Sequence, residues 1–192
     1  MTKQTHSPGL ALTKPVVLIG MMGAGKSTIG QRAAKIIDVP FFDADKEIER
    51  AADMTIAEIF ETFGEDHFRD GERRVIARLL EGEPAIIATG GGAFMDAETR
   101  AIIAERALSV WLRAEEPLLW ARVSRRSTRP LLQTENPRQT LGKLIADRYP
   151  VYAEADVVVE SKDVAKDTMA KALVGAIRQY LNAQVTEEGN SA

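Results

Sequence analysis

Cysteine is absent from this chain of 192 residues, which excludes disulfide bonds, thiolate zinc sites and cysteine nucleophiles. Histidine is scarce: the two residues, His6 and His67, are far apart in the sequence and lack the spacing of metal ligands. No apolar run approaches the roughly 18 residues that a membrane-spanning helix requires. These deficits favour a protein of the reducing cytoplasm, and we expect a cytoplasmic location with no membrane partner.

The chain also lacks an excess of basic over acidic residues. The chain carries 25 Lys and Arg against 28 Asp and Glu, a formal net charge of -3. A general nucleic-acid binder usually has a positive excess, so that class of protein is disfavoured. One group of arginines stands out from the acidic remainder and is better suited to capturing phosphate groups than nucleic acid: Arg122, Arg125, Arg126 and Arg129. We expect no nucleic-acid partner and, without a dimerisation signal, a monomer.

The composition is typical of a globular protein, with 45% hydrophobic and 28% charged residues. Residues 1–14 are polar and lack the apolar stretch of a secretory signal, and residues 183–192 are polar as well. We therefore expect a flexible N-terminal tail over 1–14, one domain over 15–182 and a flexible C-terminal tail over 183–192.

Short apolar runs alternate with helical patterns along the domain. Strands are predicted over 16–19, 39–42, 85–88, 108–112 and 157–159. Helices are predicted over 26–37, 65–80, 96–103, 116–123, 141–148 and 164–181, and Thr55 with Glu58 has the spacing of a capping box. This alternation predicts an α/β fold with a five-stranded parallel sheet and helices on both faces, whose ligands bind at the carboxyl ends of the strands.

The segment that follows the first predicted strand reads Gly-Met-Met-Gly-Ala-Gly-Lys-Ser over residues 20–27 and opens a predicted helix. It matches the phosphate-loop pattern G-x-x-x-x-G-K-[ST] in the structural context that the pattern requires. Glycines let the backbone N–H groups approach phosphate oxygens, while Lys26 reaches the β/γ-phosphates and Ser27 ligates Mg²⁺. The chain is therefore predicted to bind a nucleoside triphosphate with Mg²⁺, and the candidate contacts are Gly23, Ala24, Gly25, Lys26, Ser27 and Thr28.

The phosphate loop alone leaves several classes of protein open. No N-K-x-D guanine-binding motif occurs, which disfavours a GTP switch, and a single domain lacks the additional parts of an ATPase motor. Small-molecule kinases remain, among them gluconate kinases and nucleoside monophosphate kinases. A nucleotide-binding regulator of another protein also remains possible at this point of the argument.

Three further features narrow the choice. Asp43 and Asp45 follow the second strand; a continued pleat would point one toward Mg²⁺ and the other toward an acceptor hydroxyl, although capping of the next helix is equally compatible. The glycines at 90–92 follow the third strand and permit close approach of a ligand, or form a loose turn. Arg69 and Arg148 suit bidentate binding of a carboxylate, or are solvated surface residues.

Taken together, these stretches resemble the shikimate kinase family from about residue 15 to residue 181. The matching segments are Gly-Met-Met-Gly-Ala-Gly-Lys-Ser-Thr at 20–28, Phe-Phe-Asp-Ala-Asp at 41–45, Phe-Arg at 68–69, Gly-Gly-Gly at 90–92, Arg-Pro-Leu-Leu at 129–132 and Arg-Tyr-Pro-Val-Tyr at 148–152. Their order and spacing are more specific than any one segment after the phosphate loop. The resemblance implies a P-loop kinase fold similar to nucleoside monophosphate kinases.

The resemblance also implies an activity: transfer of the ATP γ-phosphate to the 3-hydroxyl of shikimate, giving shikimate 3-phosphate and ADP in aromatic amino-acid biosynthesis. Asp45, Arg69, Arg148 and the glycines Gly90, Gly91 and Gly92 would then bind shikimate. Asp43 and Ser27 would hold Mg²⁺, Arg122 would pack near adenine, and Arg129, in a mobile lid over about 122–138, would bind the ATP phosphates. Lys26, Asp45 and Arg129 would be the catalytic residues.

One segment departs from the family pattern. Some members place an arginine beside the adenine just after the last strand, where this chain has Ser-Lys-Asp-Val-Ala at 161–165. The contact with adenine is then made either by the backbone alone or by Lys162.

Overall fold

A computed structural model describes residues 10–125 and 134–189 of the chain. Its centre is a five-stranded sheet in the order β2-β3-β1-β4-β5, and all four neighbouring pairs are parallel. The strands are β1 (Val16–Ile19), β2 (Phe41–Asp43), β3 (Ile86–Ala88), β4 (Leu108–Arg113) and β5 (Val157–Glu160). The predicted five-stranded parallel α/β fold is confirmed.

Seven helices in the described part of the chain surround the sheet. They are α1 (Lys26–Ile37), α2 (Ala44–Ala52), α3 (Ile56–Leu80), α4 (Ala97–Arg106), α5 (Glu116–Val123), α6 (Pro137–Tyr152) and α7 (Lys166–Gly189). A short 3-10 helix, Ala93–Met95, follows β3. Within the described residues, no helix combines the length and the apolar character needed to cross a membrane.

Strand β1, at the centre of the sheet, is buried along its whole length. Every residue of β1 is at most 1% exposed, as expected for a parallel strand covered on both faces. Helix α1 packs against this sheet so closely that a Cβ atom on Gly30 would lie 2.7 Å from Leu18 Cδ1 and 2.9 Å from Phe41 Cε2. Because α1 cannot shift on the sheet, the loop that precedes it is held over the carboxyl end of β1.

The second strand lies later than predicted and ends at Asp43. Helix α2 begins at Ala44, so Asp45 lies in its first turn, and the predicted continuation of the strand pleat through Asp45 is wrong. The alternative was that an aspartate caps the helix. Asp43 does occupy the N-cap position, but its side chain makes no capping hydrogen bond. Both carboxylates therefore remain available to other partners at the end of the strand.

The helical segment Ile56–Leu80 is interrupted by non-helical backbone at Gly64, with a φ of 81°, so the helix start predicted at residue 65 coincides with the kink and follows the turns that the Thr55 capping box opens. Two other predicted helices are shorter than the observed ones. Helix α6 begins at Pro137 behind the Asn136 cap instead of at residue 141. Helix α7 ends at Gly189 rather than at residue 181, because residues 176–188 contain neither glycine nor proline to stop it.

The predicted tails meet the domain at both ends. Leu10 and Leu12 are half-buried and pack against the core, so the last residues of the 1–14 segment contact the folded domain. At the other end, residues 183–189 of the predicted C-terminal tail are helical.

The capping box at the start of α3 generates a stability prediction. The Glu58 amide donates to Thr55 Oγ1 at 3.2 Å, and the Thr55 amide donates to Glu58 Oε2 at 2.7 Å. Thr55→Ala removes the cap and should lower the free energy of unfolding by about 1 kcal/mol. The matched control is Thr62→Ala, the same change at an exposed position in the turn that precedes the kink at Gly64, where no cap is lost and the free energy of unfolding should change by no more than a few tenths of a kcal/mol. Equal effects of the two changes in urea unfolding would refute the capping account.

Candidate functional site

A cavity of about 500 Å³ opens at the carboxyl ends of the strands. It brings together the segment after β1, the two aspartates after β2, the glycines after β3, the end of α5 and the start of α7. Its lining comprises Met22, Gly23, Gly25, Lys26, Ser27, Thr28, Asp43, Asp45, Thr89, Gly90, Gly91, Arg122, Arg125 and Lys166. Residues far apart in the sequence thus converge on one edge of the sheet, as the topology requires.

The segment between β1 and α1 has the backbone of a phosphate-binding loop. Gly23 and Gly25 adopt φ values of 84° and 101°, a region that disfavours any residue with a Cβ atom. Lys26 lies at the start of α1, and its ammonium group donates to the carbonyls of Gly20 at 2.7 Å and Met21 at 3.1 Å. The loop therefore encloses a cation and lies at a helix N-terminus, both of which favour phosphate.

Ala24 differs from its neighbours in the loop. Its side chain is fully buried, and its amide N–H donates to the Met21 carbonyl at 3.1 Å, which closes a turn within the loop. Ser27 and Thr28, by contrast, are exposed in the first turn of α1 and face the cavity.

Arg122 at the end of α5 is held against the phosphate loop. Its guanidinium donates to the Gly23 carbonyl at 3.1 Å, to Ser161 Oγ at 3.0 Å and to the Lys162 carbonyl at 2.9 Å. A Cβ atom on Gly23 would lie 2.9 Å from Val123 Cγ1, so α5 and the loop are in direct contact. Sequence reasoning placed Arg122 near the nucleotide, but it assigned no role to Ser161.

The carboxylate of Asp45 lies in an unfavourable electrostatic environment. Burial raises its pKa above the ordinary value, and the neighbouring Asp43 raises it further, while Lys26 acts in the opposite direction. A Cβ atom on Gly90 would lie only 2.9 Å from Asp45 Oδ1. The carboxylate thus rests directly against the glycine backbone at the end of β3, where both residues line the cavity.

Arg69 forms two ion pairs on α3, one with a buried carboxylate and one with an exposed carboxylate. Its guanidinium contacts Glu72 Oε2 at 2.6 Å and Glu65 Oε1 at 3.2 Å. Glu72 is only 2% exposed, and burial raises its pKa even though Arg69 acts to lower it. Sequence reasoning missed Glu72, although a signal was present: it is a charged residue on the apolar side of α3, four residues after Phe68 and three residues before Val75.

Arg148 on α6 is buried, with 9% of its surface exposed. One guanidinium nitrogen donates to the Gly91 carbonyl at 3.2 Å, and the Tyr152 hydroxyl donates to the same oxygen. Burial raises the pKa of Tyr152 to about 12, so the phenol stays neutral. Among residues 10–125 and 134–189, no carboxylate forms an ion pair with Arg148, which distinguishes it from Arg69.

The three glycines after β3 each lie against one of these side chains. A Cβ atom on Gly91 would lie 3.0 Å from Arg148 Nη1, and one on Gly92 would lie 2.6 Å from both terminal nitrogens of Arg69. With Asp45 against Gly90, consecutive residues of one loop accommodate an aspartate and two arginines. The segment is a closely packed platform, and the alternative of a loose turn is wrong.

Arg129, predicted to bind the ATP phosphates, lies outside the described residues. Of the predicted lid over about 122–138, the structure describes the end of α5 and the start of α6, while residues 126–133 are not described. Ala24 is buried within the phosphate loop, and the remaining predicted site residues lie in the cavity lining or in the glycine platform and the residues that contact it.

Comparisons with known proteins bear on this arrangement. The family model described as shikimate kinase matches residues 22–178. A shikimate kinase from Rhodopseudomonas palustris is 58% identical over 168 residues, which covers 88% of this chain and 83% of the relative. The solved structure of a shikimate kinase from Acinetobacter baumannii, in complex with shikimate, is 38% identical with a TM-score of 0.81, and the match covers 85% of this chain and 92% of that one.

A gluconokinase from Sinorhizobium meliloti shares the fold alone, with a TM-score of 0.58 at 18% identity over 93% of this chain and 97% of its own. The family model covers most of the chain, and the match with the curated relative covers more than four fifths of both proteins. The chain belongs to the shikimate kinase family.

Proposed function

We propose that this chain transfers the γ-phosphoryl group of Mg·ATP to the 3-hydroxyl of shikimate, producing shikimate 3-phosphate and ADP for aromatic amino-acid biosynthesis. The observation that carries the proposal is the glycine platform with Asp45 and Arg148 against it, beside a phosphate loop in the same cavity. The platform supplies the carboxylate of Asp45 and the cation of Arg148 for an acceptor that has hydroxyls and a carboxylate. The phosphate loop supplies the binding site for the phosphate donor.

The nucleotide end is formed by the phosphate loop and α1. Gly23, Ala24 and Gly25 shape the loop, and the N-terminus of α1 adds partial positive charge toward the phosphates. Lys26 is close enough to the loop to exchange carbonyl contacts for phosphate oxygens when ATP is bound. Thr28 lines the same cavity.

The oxygen donors beside the loop fit Mg²⁺ brought in with ATP. The Ser27 hydroxyl and the Asp43 carboxylate both line the cavity, whereas the described residues hold no group of three or more acidic, histidine or cysteine side chains arranged for a metal. Mg²⁺ in kinases typically takes one or two protein oxygens together with phosphates and water, so a sparse set is sufficient. We assign Ser27 and Asp43 to this site, where the ion would neutralise phosphate charge.

Charge balance supports different roles for the two arginines. Arg69 is already paired with Glu72 and Glu65, so its charge is largely compensated within the protein. Arg148 is buried and has no carboxylate partner among the described residues. We therefore assign the main contact with the shikimate carboxylate to Arg148, and to Arg69 a second contact that the Gly92 backbone leaves room for.

Asp45 is assigned to the attacking hydroxyl. Its carboxylate accepts a hydrogen bond from the 3-hydroxyl and orients the oxygen toward the γ-phosphorus. The new O–P bond forms as the bond from the γ-phosphorus to the ADP oxygen breaks, and the hydroxyl proton leaves to Asp45. A pKa raised by burial and by Asp43 makes Asp45 a better proton acceptor than an ordinary aspartate.

Further assignments rest on the family resemblance. Arg129 is proposed to bind the migrating phosphoryl group from the lid over about 122–138, and closure of that lid to exclude water. Arg122 is proposed to pack near adenine, a position supported by its place in the cavity lining. We also propose a monomeric cytoplasmic enzyme with no membrane or nucleic-acid partner; the net charge of -3 supports the last point.

Arg148→Lys tests the acceptor assignment. A lysine keeps the charge but loses the bidentate geometry, and a charge-assisted hydrogen bond is worth roughly 1.5–3 kcal/mol, so the KM for shikimate should rise about ten- to a hundredfold. The KM for ATP should stay nearly unchanged. Steady-state kinetics with shikimate varied at saturating ATP, and with ATP varied at saturating shikimate, gives the two values.

Two controls sharpen this experiment. Arg106→Lys, the same change at the end of α4 in an exposed pair with Glu81, should leave both KM values unchanged. A shikimate carboxamide lacks the negative charge, so Arg148→Lys should raise the KM for the carboxamide by a smaller factor than it raises the KM for shikimate. If the variant prefers shikimate over the carboxamide as strongly as wild type, Arg148 does not bind the carboxylate.

Asp45→Asn separates catalysis from stability. Because the pKa of Asp45 is raised on folding, its ionised form destabilises the folded chain above that pKa, and the penalty disappears as the pH falls through it. The ligand-free variant should therefore melt at a higher temperature than wild type at pH 7, with a difference that shrinks toward pH 4. Turnover should fall at least about 100-fold.

The control for this pair of measurements is Asp66→Asn, the same change at an exposed position on α3. It should alter neither the melting temperature nor the turnover. An Asp45→Asn variant that turns over at nearly the wild-type rate would show that the carboxylate neither orients the hydroxyl nor accepts its proton.

A further inference from the structure

The Ser161 hydroxyl is buried where three segments around the phosphate loop meet. Ser161 directly follows β5 and is 5% exposed, and its amide donates to the Arg113 carbonyl at the end of β4. Its Oγ donates to the Ala24 carbonyl at 2.9 Å and accepts a hydrogen bond from Arg122 Nη1 at 3.0 Å. A hydroxyl has one hydrogen and two lone pairs, so a single group satisfies both partners.

The hydrogen bond from Ser161 to the Ala24 carbonyl affects the orientation of the peptide between Ala24 and Gly25. A trans peptide directs its carbonyl and the next amide N–H to opposite sides. The Ala24 carbonyl receives Ser161 Oγ at 2.9 Å and a longer contact from Arg122 at 3.5 Å. Holding that oxygen toward Ser161 therefore turns the Gly25 N–H away from Ser161, in a residue that lines the cavity.

Phosphate binding depends on the direction of such peptides. Aligned N–H groups attract a phosphate, whereas a carbonyl oxygen that faced it would repel it. The left-handed φ of 101° at Gly25 means that no Cβ atom restrains the peptide on that side, so hydrogen bonds to the Ala24 carbonyl contribute to its orientation. Ser161 supplies the shorter of the two that reach the Ala24 carbonyl.

We propose that Ser161 is a positioning residue for nucleotide binding: its hydroxyl holds the Ala24 carbonyl away from the phosphates and couples the phosphate loop to Arg122. The segment after β5, which departs from the family pattern at the adenine side, thereby acts on the phosphate end of the nucleotide. The inference rests on the proposed function for the identity of the loop as the ATP site.

The test is the ADP affinity of Ser161→Ala in the full chain, measured by equilibrium titration. Loss of a hydrogen bond that involves a charged partner should raise the Kd for ADP roughly tenfold. The KM for ATP should rise in parallel while the KM for shikimate stays nearly unchanged, which is a split that general destabilisation does not produce. Ser161→Thr retains the hydroxyl and should restore most of the ADP affinity.

Ser109→Ala is the matched control. Ser109 is 3% exposed on β4, pairs with Val17 near the start of β1, and its hydroxyl donates to Asp156 Oδ2 at 2.6 Å. The same loss of a buried, hydrogen-bonded hydroxyl occurs there at a distance from the loop. This variant should lose stability and keep the wild-type Kd for ADP.

Two outcomes would overturn the inference: a wild-type Kd for ADP in Ser161→Ala, or an equal loss of ADP affinity in Ser109→Ala. Failure of the proposed function would look different. A wild-type chain that binds ADP but does not phosphorylate shikimate would refute the acceptor assignment, and the comparison of Ser161→Ala with Ser109→Ala would still decide the role of Ser161.

Discussion

Close contact between three glycines and three charged side chains sets the dimensions of the proposed acceptor half of the site. A Cβ atom at Gly90, Gly91 or Gly92 would lie 2.6–3.0 Å from Asp45, Arg148 or Arg69, so no larger residue fits without displacing one of them. Strand β3 delivers this platform beside the phosphate loop because the two strands are parallel neighbours. The distance between donor and acceptor is therefore a consequence of sheet topology and backbone packing together.

Buried charge in this half is only partly compensated. Arg69 forms a short ion pair with the buried Glu72, and removing Arg69 would leave the Glu72 carboxylate as an uncompensated charge in the interior. Arg148 is buried against the Gly91 carbonyl and the Tyr152 hydroxyl, neither of which cancels a full positive charge. A bound anion would compensate the positive charge of Arg148, and the carboxylate of the proposed acceptor is such an anion.

Local patterns in the sequence were sufficient for the sheet, the phosphate loop and the α3 capping box, because each depends on neighbouring residues. The burial of Glu72 and the contacts of Ser161 depend instead on which helices pack together, and no single segment encodes that. Asp45 illustrates the limit most clearly: sequence reasoning selected the residue, yet placed it on a continued strand instead of in the first turn of α2. Apolar periodicity alone also placed the start of α6 several residues too late, because it ignored the cap that Asn136 provides.

The central claim is that the proposed acceptor half accommodates shikimate rather than gluconate or a nucleotide. The most direct measurement is the rate of ADP release from Mg·ATP with shikimate, gluconate and AMP offered separately to the wild-type chain. The account predicts that shikimate stimulates ADP release strongly, and that gluconate and AMP leave it near the rate without acceptor. Faster release with gluconate or AMP, or a rate that no acceptor changes, would contradict it.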